Sequence, residues 1–467
     1  MIFISCHLVS SVFFVLLITR ANALSQQSFV IIGGTGRIGT AIATHLLLRA
    51  PESKIYLVGR NEDRGARAVE EVIRDHSEAT QNSNAKILDR QVSFRRADWR
   101  NAADLTDIAS IADCMIHTAG PFLGESPDPL KEAISSQRCK AYVDVSDPLD
   151  FLDASLAMNE NAMNSDTPCS ALIASGAFPG MSNVLAMDAA SYLKEDDRVR
   201  DVRFNYFTAG LGGSGDVNLY ITNIGFGEPQ AQYENGILRL YKALSGLILG
   251  KVDFFLEDAT SETLTDPSGN SEAKARIGTQ TVFSWPFPEA ATVARKLEAS
   301  GESSAAMGTS PDLWNAMLGV LVSIVPRPWW RSPRFSKFLA DFSQPLVKLT
   351  DLILKATSPD NVGETHAIRV DVIGESGVAI SCVQAHESFR RCVAQSCAEF
   401  ALDLLDEPRP GVYLPEDRYE ETGSRQRILK RLTTTPGTIA YTGPAFVKGT
   451  PAPTGMKEAL QKANEDE

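Results

Sequence analysis

Phe29-Val30-Ile31-Ile32-Gly33-Gly34-Thr35-Gly36-Arg37-Ile38-Gly39 reads as a buried strand that runs straight into a glycine turn and then a helix. The spacing Gly34-x-Gly36-x-x-Gly39 gives each glycine its own part, respectively a tight turn, an approach of backbone to a pyrophosphate, and close packing of helix on strand. The N-terminus of the helix then presents its positive dipole end to phosphates. A glycine pattern by itself also suits a plain strand-to-helix turn. The context favours the nucleotide: Ile42, Leu46 and Leu47 follow at helical spacing, and Lys54-Ile55-Tyr56-Leu57-Val58 supplies the next strand. Gly33, Gly34, Thr35, Gly36, Arg37, Ile38 and Gly39 are therefore the first expected contacts of a dinucleotide.

The end of that second strand decides between the two coenzyme forms. NAD-binding folds usually place a carboxylate there to accept the ribose hydroxyls. This chain places Gly59, Arg60 and Asn61 there, with Arg64 close behind. A guanidinium binds a 2′-phosphate through parallel hydrogen bonds, whereas a carboxylate would repel it. NADP is thus the expected cofactor, with Arg60, Asn61 and Arg64 as its ribose-phosphate contacts. Glu62 and Asp63 follow closely, which leaves NAD open, and both arginines also suit a solvated loop.

The chain of 467 residues has room for two or three domains, and a hydrophobic content of 43% is ordinary for a globular protein. A net charge of −13 argues against a nucleic-acid binder, which needs a basic face to displace counterions. Seven cysteines form no C-x-x-C pair and have no histidines at zinc-ligand spacing, so no metal site is expected and the thiols read as mostly buried.

Strands and helices alternate through the first part of the chain. Helix is expected over 65–74, a polar loop over 75–89, and a third strand near Val92–Phe94. Asp98 follows, where such folds often meet the adenine ring. A fourth strand, Cys114–His117, leads into Thr118-Ala119-Gly120-Pro121-Phe122, and a fifth spans Ala141–Val145. Ligands of a doubly wound sheet lie outside the carboxyl ends of its strands, where strand order reverses, so Ala119, Gly120 and Pro121 join the cofactor set. The fold class is α/β, a Rossmann doubly wound parallel sheet over 28–181. The texture changes near Ser182, which marks a second domain over 182–384. Polar stretches over 256–278 and 295–311 read as surface excursions, and Ile368–Val372 with Val378–Cys382 as a hairpin. A second glycine run, 209–215, lacks the Gly-Lys-Ser/Thr of a phosphate loop.

Three motifs in order resemble the saccharopine dehydrogenase-like family, in its plastid and cyanobacterial branch of NADP-binding-domain proteins: Ala119-Gly120-Pro121-Phe122, Tyr142-Val143-Asp144, and Phe178-Pro179-Gly180-Met181-Ser182-Asn183. Gly33–Gly39, Tyr206–Gly215 and Gly411–Glu416 extend the likeness over most of the chain. The resemblance implies an NADP-binding Rossmann domain, a mixed α/β second domain for substrate and for dimerisation, and a segment 385–447 that folds back on the first. It also implies an oxidoreductase, typically exchanging hydride with an imine or carbon–nitrogen centre. The partner expected is a small amino- or imino-type metabolite. The rival is a non-catalytic NADP-binding sensor or scaffold.

Hydride delivery needs a proton donor beside the acceptor heteroatom. Asp144 and Tyr142 end the fifth strand and His117 ends the fourth, so these three are the catalytic candidates. Each also suits a structural role, as turn cap, core aromatic or satisfied strand histidine.

The N-terminus carries an apolar run, Leu8–Ile18, before the small-x-small site Ala21-Asn22-Ala23, which reads as a signal peptide over 1–23. Secretory entry is expected, with the plastid of an alga as the favoured destination. Trp314–Val325, followed by Trp329, Trp330, Arg331, Arg334 and Lys337, suits either peripheral membrane contact or a buried helix with a basic rim. A polar tail is expected over 448–467.

Overall fold

The structure, a computed structural model, describes residues 27–81, 90–209, 220, 223–241, 246–256, 267–310, 312–357 and 364–447. Segment 1–23, expected as a signal peptide, segment 448–467, expected as a polar tail, and, apart from Ala209, the glycine run 209–215 lie outside the described residues. The chain divides into two compact units.

The first unit is Met1–Ser146, Asp150–Ile173 and Cys397–Tyr413. Its strands are β1 (Ser28–Ile32), β2 (Lys54–Gly59), β3 (Val92–Arg96), β4 (Cys114–His117), β5 (Ala141–Asp144) and β6 (Ser170–Leu172), with β15 (Gly411–Tyr413) added from far along the chain. The sheet order is β15-β6-β5-β4-β1-β2-β3. Every pairing in it is parallel. β1, β4, β5 and β6 are buried throughout, which is why they read as continuous apolar runs rather than alternating ones. Strand order reverses between β1 and β4. β15 is fastened to the sheet edge by Ile173 N donating to Tyr413 O at 3.1 Å and Arg409 N to Ser170 Oγ at 2.8 Å.

The helix Arg37–Arg49 packs Ile42, Ala43, Leu46 and Leu47 into this core. The next helix runs Glu62–Thr80, past the loop expected from residue 75. Its polar end remains helical, with the Ser77 and Thr80 hydroxyls donating to the carbonyls of Ile73 and His76 at 2.8 and 2.9 Å. It stops at Gln81, which takes a left-handed φ of 52°.

The second unit is Asp147–Leu149, Ala174–Ser396 and Leu414–Glu467. Of the segment 385–447 expected on the first domain, only Cys397–Tyr413 is there; the strand that ends it pairs in the second unit's own sheet. That sheet contains β7 (Val199–Ala209), β8 (Gln230–Glu234), β9 (Ile237–Tyr241), β10 (Ile248–Asp253), β11 (Thr279–Ser284), β12 (Ser303–Ser310), β13 (His366–Gly374), β14 (Ala379–His386) and β16 (Thr438–Val447). The main order is β10-β11-β12-β7-β13-β14-β16, with β8 on β12 and β9 on β8. It is mixed: β12 and β7 are parallel, while β7, β13, β14 and β16 are antiparallel in turn. β13 and β14 form the expected hairpin. β12 lies inside the stretch expected as a surface excursion. Its Ser, Ala and Gly side chains are small enough to be buried between neighbours, and they carry none of the branched bulk that marks a strand in sequence. Residues Pro267–Arg276 of the other polar stretch form a helix. Phe207, Val252, Phe254 and Val282 centre this unit's core.

Candidate functional site

A cleft of about 280 Å³ opens in the first unit at the carboxyl ends of β1, β2 and β4, where strand order reverses. Gly33, Thr35, Arg60, Asn61, Arg64, Ala119 and Gly120 line it, joined by Ile32, Val58, Gly59, Ala97, Trp99 and Arg100. Among the described residues, three arginines and no carboxylate line this space.

The glycine turn is built from backbone closeness. The positive φ of the turn, 80°, belongs to Gly33, one residue earlier than the spacing assigned it. A Cβ on Gly34 would lie 2.7 Å from Ile31 O and 2.8 Å from Leu57 Cα, so this glycine lets β2 approach the loop. A Cβ on Gly39 would lie 2.6 Å from Gly33 O and from Gly34 Cα, which seats the helix on the turn. Gly36 differs: it is exposed, and its Cβ would meet only Gly33 O at 3.1 Å. Gly36 also begins the helix without a side-chain cap, and the first turn, with Arg37, Ile38 and Gly39, contains no acid. The end of the helix is therefore open to an anion. Gly34 and Gly39 are buried beneath the loop, Arg37 is exposed at its tip, and none of these three, nor Ile38 or Gly36, lines the cleft.

The Asn61 side chain accepts from Arg64 N at 2.9 Å and caps the helix Glu62–Thr80. That cap sets Arg60 before the helix and Arg64 in its first turn. Both are exposed, and among the described residues neither guanidinium has a hydrogen-bond or ion-pair partner. Glu62 is paired with Arg96 at 3.2 Å, and Arg100 with Glu125. Asp98 does not face the cleft. Its carboxylate accepts from Arg100 N at 3.2 Å, closing a turn, and the flanking Ala97 and Trp99 line the wall in its place. Pro121 also lies off the cleft, behind Gly120.

The three catalytic candidates meet. Tyr142 donates to Asp144 Oδ2 at 3.1 Å, and its oxygen lies 3.3 Å from His117 Nδ1. Asp144 Oδ1 accepts from Ser146 N at 3.1 Å and from the Ser146 hydroxyl. The one Tyr142 proton goes to Asp144, so the hydroxyl oxygen accepts from His117 Nδ1–H. His117 Nε2 is then a bare lone pair, and it has no partner among the described residues. Burial, helped by the Arg100 charge, pushes the His117 pKa down to about 3, so the imidazole is neutral. Burial, then Asp144, raises that of Tyr142 far above its usual range. The trio is fully buried and none of it lines the cleft. Trp99 connects the two: its ring lies 5.0 Å edge-on from His117, Phe122 closes the other side at 4.8 Å, and Arg100 stacks on Trp99 at 4.2 Å.

The second unit contains a polar cluster with no single-stretch signature. Phe178 stacks on Tyr206 at 4.2 Å, and Tyr206 donates to the buried Glu289. Burial lifts the Glu289 pKa to about 8. Asn183 donates to Glu416 Oε2 at 2.7 Å, and burial raises that carboxyl too. Thus Asn183, Tyr206 and Glu416, from three of the motifs, enter two buried hydrogen-bonded pairs, Tyr206 with Glu289 and Asn183 with Glu416, and the Glu416 charge adds to the rise at Glu289. Arg203 pairs with Asp201 at 3.8 Å.

The sequence matches no protein-family model and no curated protein. Among solved structures, the apo saccharopine dehydrogenase (L-Glu forming) of Saccharomyces cerevisiae superposes with a TM-score of 0.54 at 10% identity, covering 89% of this chain and 99% of that one. Pen from Bacillus thuringiensis matches 32% of this chain and 51% of its own at 16% identity, TM-score 0.24. Vestitone reductase from alfalfa matches 25% and 35% at 21% identity, TM-score 0.18. The last two superpose over a part of the chain, so the fold statement rests on the yeast enzyme: this chain has a saccharopine dehydrogenase-like fold, a Rossmann-type parallel sheet with a second, mixed unit.

Proposed function

We propose that the first unit binds NADP(H) and that the protein is an oxidoreductase exchanging hydride with a small amino- or imino-type metabolite. One observation carries the cofactor: the cleft at the point of strand reversal is lined by Arg60, Arg64 and Arg100 and, among the described residues, by no carboxylate. The residues fit the group. The exposed Gly36 leaves room where a side chain would stand, and the uncapped helix end beside it suits a diphosphate. Arg60 and Arg64, free of ion pairs among the described residues, would hold the 2′-phosphate.

Bound there, the nicotinamide supplies the hydride. Asp144, Tyr142 and His117 would orient and carry the accompanying proton. The fold shared with the yeast enzyme, an L-Glu-forming saccharopine dehydrogenase, supports an amino-acid-derived substrate class. Titration of the purified chain with NADPH and NADH, followed by fluorescence, tests the reading: tighter NADPH binding is expected, and equal affinity for both overturns the role of Arg60.

The burial of all three proton carriers favours a second reading, an NADP-binding sensor without turnover. Oxidation of NADPH by a panel of imino acids separates the two. For localisation, we take segment 1–23 as a leader into the secretory route, with an algal plastid as the end point.

A further inference from the structure

The helix Pro333–Thr357 in the second unit leaves a stripe of large apolar side chains uncovered among the described residues. Its small residues face inward: Ser336 is fully buried, with its hydroxyl on Trp330 O at 2.6 Å and its carbonyl accepting from Asn223 at 3.1 Å, and Ala340 packs with Trp314. Four of its large residues face out. Phe338, Phe342, Leu349 and Leu352 are 63%, 73%, 54% and 68% exposed. Their spacing places them on one stripe, with Pro345 between them, and the rings of Phe338 and Phe342 stack at 6.1 Å. Trp329, exposed just before the helix, extends the stripe.

Charge decides what covers it. From residue 327 to the end of the helix at 357 the chain carries six cations, Arg327, Arg331, Arg334, Lys337, Lys348 and Lys355, against two acids, Asp341 and Asp351, in a protein whose net charge is −13. Asp341 is paired with Lys337 at 3.1 Å. Arg334, Lys337 and Lys348 lie exposed along one side of the apolar stripe. A second copy would oppose two cationic stripes. A surface of anionic lipid answers both features, because acyl chains take the phenylalanines and leucines while headgroups take the cations. No helix among the described residues is long and apolar enough to cross a membrane, so this one lies along the surface. We infer that the Pro333–Thr357 face is an interfacial anchor that seats the protein on an anionic membrane.

The test is co-sedimentation of the full chain with vesicles of phosphatidylcholine alone or with added phosphatidylserine. Binding is expected only to the anionic vesicles, and to weaken with salt. Each cation removed in R334Q/K348Q is expected to weaken it by about fivefold. F338S/F342S is expected to abolish it with thermal stability and NADPH affinity unchanged, since both rings are exposed. A wild type that ignores anionic vesicles, or variants that bind as it does, overturns the inference. So does a wild type that sediments as a dimer while F338S/F342S is a monomer, which would make a second copy the occupant. Because NADPH titration reads the other unit, failure here leaves the cofactor reading untouched.

Discussion

Glu399 Oε1 lies 2.8 Å from His45 Nε2, joining two helices whose residues are 354 positions apart in the chain. Arg49 adds a second contact at 2.6 Å. Burial works to raise the Glu399 pKa, but hydrogen bonds from His45 and Arg49 outweigh it, and the result is below 4.5. A lowered carboxyl contributes stability above its unfolded value and loses it as pH falls through the folded one. E399Q is expected to cost about 2 kcal/mol at neutral pH, less than a fully buried pair because Arg49 is half-exposed. Urea denaturation at pH 7 and below 4 checks this: the gap between variant and wild type should close in acid.

Arg60 and Arg64 should set coenzyme choice. R60E is expected to weaken NADPH by about tenfold to a hundredfold, the scale of a lost charge-assisted hydrogen bond, and to leave NADH nearly unchanged. Calorimetric titration with both coenzymes decides it; equal loss for both would point to a damaged fold.

Gly34 and Gly36 should part company. In G34A the new methyl meets backbone on two sides, Ile31 O and Leu57 Cα, so a loss of about 3 kcal/mol or more in stability is expected. G36A meets one carbonyl at 3.1 Å and should fold nearly as well as wild type. It should nonetheless weaken NADPH by about tenfold or more, because the methyl stands where the diphosphate would approach. Melting curves beside titrations separate the two effects.

Glu289 should make the protein less stable in base. Its folded pKa, lifted to about 8 by burial, exceeds the ordinary 4.5. Its contribution is therefore complete below 4.5 and lost as pH rises from 4.5 through 8. E289Q keeps an acceptor for Tyr206 and no charge. It is expected to match wild type below pH 4.5 and to exceed it by about 1–3 kcal/mol above pH 8. A melting-temperature series against pH would refute this by showing parallel curves.

Acid should act through the histidines. Burial, the largest influence in each case, holds His117 and His366 down to about 3 and His386 to about 4, against the ordinary 6.5. The unfolded chain takes up these protons first, so stability should fall as pH drops from 6.5 toward 3. H366Q should flatten that slope in a chemical-denaturation series.

The parallel sheet was legible because β1, β2, β4 and β5 carry apolar runs and the turn after β1 has its own glycine code. β12 was not, since a strand of Ser, Ala and Gly has no local signal and takes its place only from its neighbours. Asp98 had the right position in the chain, but a short side chain beside a free backbone amide closes a turn in preference to facing a ligand. Trp99 and Arg100, one and two residues on, reach the wall instead. Glu289 and Glu416 were invisible for a different reason: what makes them unusual is burial, and a buried carboxyl looks in sequence like any other.

The edge strand β15 has a bearing on biosynthesis. A ribosome that has delivered the first six strands of this sheet still has to make most of the second unit before Gly411–Tyr413 emerges to cap β6. Until then the outer edge of Ser170–Leu172, whose other side pairs with β5, is an open template, so that border needs shielding during translation, and a fragment stopped short of residue 411 would leave it open to other chains.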